Sequence, residues 1–123
     1  MNYPNYSRPL SDMAEEVYEY CVQKGWEPDP NRTFGDQCAL LHSEVSEALE
    51  AYRSWKFDDA THAGNITDLD DLPKPEGVGS EFADILIRLL HYSKIHEIDL
   101  EAEFDRKMAY NRRRAYRHGG RNL

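Results

Sequence analysis

The stretch from Ser80 to about His96 constrains the fold most. It is apolar on nearly every side, and the polar groups that interrupt it, Glu81, Asp84, Arg88 and His91, fall on one stripe at helical spacing. A helix that is apolar around most of its circumference has to be enclosed by neighbours, which makes this segment the expected centre of the fold. The rest of the chain supplies further helices and no strand alternation, internal repeat or low-complexity segment.

Before this segment, Met13, Ala14, Val17, Tyr18 and Cys21 share one face of a helix that should follow Ser11 as N-cap and stop at Gly25. Pro28 and Pro30 enforce a short link. Thr33, with Asp36 three residues on, has the pattern of a capping box and predicts a long helix from Phe34 to about Trp55. Its expected apolar stripe is Phe34, Cys38, Leu41, Val45, Ala48 and Tyr52. After the central segment, Asp99 is the natural cap of a fourth helix that would turn Leu100, Phe104 and Met108 inward and fray near Ala115. The expected fold is therefore an all-α four-helix bundle in a single domain over residues 1–123. A long loop should interrupt it at about 56–79, where Asp58, Asp59, Asp68, Asp70 and Asp71 alternate with glycines and prolines. A helical unit of 123 residues would gain by burying leftover apolar surface in an oligomer.

Composition removes several classes of function. Hydrophobic residues make up 40% and charged residues 31%, a globular balance. No apolar run approaches the roughly 18–20 residues that cross a bilayer, so no membrane partner is expected. The first residues, Met1 to Arg8, carry no apolar signal core, which makes the cytoplasm the expected location. Cys21 and Cys38 lie on apolar stripes as reduced packing thiols do. A net charge of -8 argues against nucleic acid as the partner. Seven of the 15 Lys and Arg, however, cluster at Arg106, Lys107, Arg112, Arg113, Arg114, Arg117 and Arg121. That end of the chain suits either a small polyanion or a solvated helix terminus.

Two carboxylate pairs carry the chemistry. Glu44 and Glu47 are three residues apart on the long helix, as are Glu81 and Asp84 on the central one, so each pair shares a helix face. Unpaired carboxylates in an apolar helix are costly and call for a compensating cation. Four oxygen donors without His or Cys suit Mg²⁺, with Mn²⁺ as substitute, rather than Zn²⁺ or copper. A ferritin-like di-iron site would need a His three residues after a Glu, and none occurs. Spacing alone leaves a metal-free reading open: Asp84 and Arg88, at i and i+4, would make a polar seam.

The segment Phe34–Arg53, with Glu44-Val45-Ser46-Glu47 at its centre, and the later segment Lys74–Arg88, with Glu81-Phe82-Ala83-Asp84, resemble the two metal-binding helices of the MazG-like all-α nucleoside triphosphate pyrophosphatases. The similarity continues through Lys107-Met108-Ala109-Tyr110-Asn111 and Arg114 to His118-Gly119-Gly120. The connection from Glu47 to Glu81 is longer than is typical of that family. The resemblance implies that Glu44, Glu47, Glu81 and Asp84 coordinate Mg²⁺, and that the reaction is hydrolysis of a nucleoside triphosphate between its α- and β-phosphates. Glu44 or Glu47 would act as general base, while Lys107, Asn111 and Arg114 would meet triphosphate oxygens. Trp55 or Trp26 would stack on the base, although packing explains both tryptophans equally well. A homodimer or homotetramer is the implied assembly. Two rivals remain: a non-catalytic helical interaction module of the same ancestry, and a deoxynucleotide-specific hydrolase resembling a dUTPase or dCTPase.

Overall fold

The computed structural model describes residues 8–58 and 74–114, and within them the backbone forms four α-helices and no strand. They are α1 (Leu10–Gln23), α2 (Phe34–Trp55), α3 (Val78–Ile95) and α4 (Leu100–Arg113). The middle of the expected 56–79 loop, the segment His118-Gly119-Gly120 and the basic residues Arg117 and Arg121 lie outside the described residues.

Capping chemistry sets most of the boundaries. Thr33 Oγ1 accepts from the Asp36 N–H at 3.1 Å and the Asp36 carboxylate accepts from the Thr33 N–H at 2.9 Å, the reciprocal box expected from the spacing. The same bonds hold the Asp36 carboxyl below its usual range. Asp99 accepts from the Ala102 N–H at 3.0 Å and starts α4. Gly25, at φ 79°, ends α1 in the left-handed conformation that glycine adopts without strain. Gly77, at φ 113°, turns the chain into α3, and its carbonyl accepts from the Glu81 N–H at 3.1 Å. α1 departs from expectation, beginning at Leu10 with Pro9 at the N-cap position, so that Ser11 lies inside the first turn. The Pro9 carbonyl accepts from the Asp12 and Met13 N–H groups, which starts the helix before a serine cap is needed.

α3 is the central element. It packs against α2 on one side and α1 on another, while α4 attaches more lightly to α1. Gln37 meets His96 and Glu44 meets Arg88, so α2 and α3 run antiparallel. The apolar core is small: Ala14 and Cys21 of α1, Ala48 and Ala51 of α2, Val78, Leu90 and Tyr92 of α3. Both cysteines are free thiols, Cys21 buried and Cys38 half-buried, and burial pushes the Cys21 thiol up.

Three details of the expected packing are corrected. First, the face of α2 that α3 covers is Gln37, Glu44, Ala48 and Ala51, whereas Phe34, Val45 and Tyr52 are exposed. Small alanines allow close approach to α3, and the polar groups of that face find cross-helix partners, so the helix is rotated away from its bulkiest apolar line. Second, α3 is enclosed on every side only at Leu90–Ser93; nearer its start, Phe82, Leu86 and Leu89 face outward. Third, α4 has no buried residue, and Phe104 is exposed rather than inward. Its contacts are chiefly with α1, so α4 flanks the three packed helices rather than completing a four-helix core.

Candidate functional site

α2 and α3 bring Glu44, Glu81 and Asp84 together. One oxygen from each lies within 4.8 Å of the others, and the group contains neither imidazole nor thiolate. Glu44 projects from the middle of α2 and is only 7% exposed. Glu81 and Asp84 stand one turn apart at the start of α3, half-buried, which follows from their i, i+3 spacing and the turn at Gly77.

The charges are incompletely compensated. Arg88 Nε donates to Glu44 Oε1 at 2.7 Å, and Arg88 Nη1 donates to the Tyr92 hydroxyl at 3.1 Å. Glu44 Oε2 and Glu81 Oε2 are both buried and have no hydrogen-bond partner. Such oxygens lose water without gaining a donor, a cost that normally selects against them unless a ligand compensates it.

Proton affinity reports the same imbalance. Burial first, and then the charges of Asp84, Glu47 and Glu44, push the Glu81 carboxyl up to about 7. Asp84 is raised by burial and by Glu44, with Arg88 opposing. Glu47 is raised by the neighbouring carboxylate of Glu44 and by the charge of Asp84. For Arg88, burial disfavours the cation, but the bonds to Glu44 and Tyr92 outweigh it and the net shift is upward.

The other sequence-derived residues are distributed unevenly. Glu47 is exposed and interacts with Glu44 and Glu81, but stands outside the close group of three. Trp55 ends α2, half-buried. Trp26 is exposed and sets its ring edge-on to Tyr20 at 5.4 Å, on the side of α1. Lys107, Asn111 and Arg114 are exposed at α4, and neither Lys107 nor Asn111 pairs with a carboxylate among the described residues. Arg114 lies over the Tyr110 ring at 5.7 Å. The structure thus assembles the carboxylates, and among the described residues no ion pair joins them to the basic α4 group.

Two features escaped the sequence reading. The i, i+4 spacing leaves an Asp84–Arg88 pair open as the metal-free alternative, but Arg88 donates to Glu44 across the helix interface. Its charge reaches Asp84 only as a through-space effect. The only available signal was that Arg88 shares the polar stripe of Glu81 and Asp84; the partner depends on how α2 and α3 register. Further along α3, His91 Nε2 meets Glu27 Oε1 at 2.8 Å with both side chains nearly buried, and His96 Nε2 meets Gln37 Oε1 at 2.6 Å.

No family model, curated protein or solved structure matches this chain. Chemically, the group offers hard, anionic oxygen donors in a partly dehydrated site, a donor set that fits Mg²⁺ or Mn²⁺. The two buried, unpartnered oxygens are the specific observation behind that fit.

Proposed function

We propose that this chain is a Mg²⁺-dependent nucleoside triphosphate pyrophosphohydrolase, converting an NTP or dNTP into the monophosphate and pyrophosphate. The observation that carries the reading is the pair of buried, unpartnered oxygens Glu44 Oε2 and Glu81 Oε2 beside Asp84. The resemblance of Phe34–Arg53 and Lys74–Arg88 to the metal-binding helices of MazG-like pyrophosphatases supplies the reaction.

In this reading Glu44, Glu81 and Asp84 hold Mg²⁺. When bound, the ion would neutralise phosphate charge and lower the pKa of an attacking water. Glu47, exposed and beside the group, takes the proton from that water. Water oxygen forms one new P–O bond as the α–β anhydride bond breaks. Lys107, Asn111 and Arg114 would meet the triphosphate, and Trp55 or Trp26 the base. The exposed apolar lines Val45, Leu49, Tyr52 of α2 and Phe82, Leu86, Leu89 of α3 support a homodimer or homotetramer.

The test is pyrophosphate release from a panel of NTPs and dNTPs, including dUTP and dCTP, with Mg²⁺ and then with excess EDTA. Metal-dependent pyrophosphate with an equal yield of monophosphate is the expected result, abolished by Glu47→Gln. A sharp preference for one deoxynucleotide would identify a dUTPase- or dCTPase-like enzyme. Silence across the panel from folded protein would favour the non-catalytic module, a reading to which the internal Glu44–Arg88 pair lends support because it partly compensates the acidic seam.

A further inference from the structure

The terminal torsion of a glutamate is broad and nearly two-fold, so its two oxygens exchange places unless something holds one of them. Glu44 is held. Arg88 Nε donates to Oε1 at 2.7 Å, and the guanidinium is itself tethered by Nη1 to the Tyr92 hydroxyl at 3.1 Å. Tyr92 is 5% exposed, one turn further along α3, with its ring 5.2 Å from that of His91. A relay Tyr92–Arg88–Glu44 therefore crosses from α3 to α2. It ends at the one oxygen of Glu44, Oε2, that is buried and has no protein partner.

We propose that Arg88, tethered by Tyr92, is a positioning residue that fixes the Glu44 carboxylate so that Oε2 alone is presented to the bound cation. The inference rests on the metal-centre reading above and adds to it the coordination mode of Glu44: one oxygen to the metal, the other to Arg88. Groups that orient a ligand from behind commonly change metal affinity by about 10–100-fold when removed. The competing role is that of a counter-charge: Arg88 would merely offset the negative potential of Glu44, Glu81 and Asp84. The two roles diverge for substitutions that keep the positive charge. Tyr92→Phe removes only the tether, and Arg88→Lys replaces the planar fork by a point charge that cannot reproduce both bonds.

The experiment is titration of metal-free protein with Mn²⁺, followed by electron paramagnetic resonance, on wild type, Tyr92→Phe and Arg88→Lys. Melting curves in chelator establish that each variant is folded. Positioning predicts weaker Mn²⁺ binding in both charge-conserving variants, by several-fold for Tyr92→Phe and by about tenfold or more for Arg88→Lys, with a broadened bound-Mn²⁺ spectrum. Wild-type affinity and spectrum in folded Tyr92→Phe would overturn the inference in favour of a counter-charge, whatever Arg88→Lys does. A wild-type protein that takes up no Mn²⁺ would overturn the metal-centre reading, and this inference with it; that result differs from one in which wild type and variants bind alike.

Discussion

Two polar seams line α3, and they are completed differently. In the C-terminal half, His91 is matched by Glu27 and His96 by Gln37, at 2.8 and 2.6 Å. In the N-terminal half, Glu81 and Asp84 face Glu44, and only one oxygen of Glu44 has a donor, from Arg88. Both seams lie between packed helices, yet the first pairs hydrogen-bonding partners while the second gathers like charges. The first belongs to the fold and ties the α1–α2 link and the start of α2 to α3. The second stays incompletely compensated; carboxylates held together at the edge of a core lower their energy by protonation or by gaining a cation, and in the proposed function Mg²⁺ takes that place.

Substitutions in the two seams should therefore have opposite consequences, and the largest is expected in the incomplete one. Glu81→Gln removes a charge where charges repel. Mg²⁺-dependent turnover should fall by more than about a hundredfold, while the melting temperature in chelator stays level or rises. A marked loss of stability with activity retained would reverse the assignment of the two seams. Glu27→Ala is the counterpart in the completed seam. It leaves the nearly buried His91 imidazole without its partner, and should cost about 1–3 kcal/mol of stability in urea unfolding while Mn²⁺ affinity remains that of wild type.

The subtlest effect is on pH dependence. A carboxyl raised to about 7 in the folded chain, against 4.5 as its usual value, binds a proton that the unfolded chain releases. The folded state then holds more protons than the unfolded one between about pH 4.5 and 7, so this group makes stability fall as pH rises through that window and leaves it level above. Glu47 and Asp84, also raised, act in the same direction. Melting curves in chelator at pH 5, 6, 7 and 8 should show the decline, and saturating Mn²⁺ should cancel it, because binding displaces the proton. Stability that climbs over this range in chelator would contradict a crowded acidic seam.

Much of this arrangement is legible in local pattern. The Thr33–Asp36 box and the Asp99 cap fall where their spacing predicts. The carboxylates of each pair project together because three residues make nearly one helical turn. What local pattern misplaces is the outward or inward sense of the large apolar residues. Phe34, Val45 and Phe104 would read as core on any amphipathic template, yet all three are exposed. Which apolar line of a helix is covered depends on the neighbour's shape, and Ala48 and Ala51 admit α3 more closely than a bulky line does.

The amino-acid sequence by itself determined the helices, the caps of α2 and α4 and the pairing of Glu44 with Glu47 and of Glu81 with Asp84, because these depend on backbone hydrogen bonding and helical pitch over a few residues. Only the tertiary structure decided that Glu44 stands opposite Glu81 and Asp84, that Arg88 takes Glu44 rather than Asp84, and that α4 packs chiefly against α1. Those outcomes depend on the register and rotation of α2 against α3 and on where α4 docks, which are set by packing between residues distant in the chain.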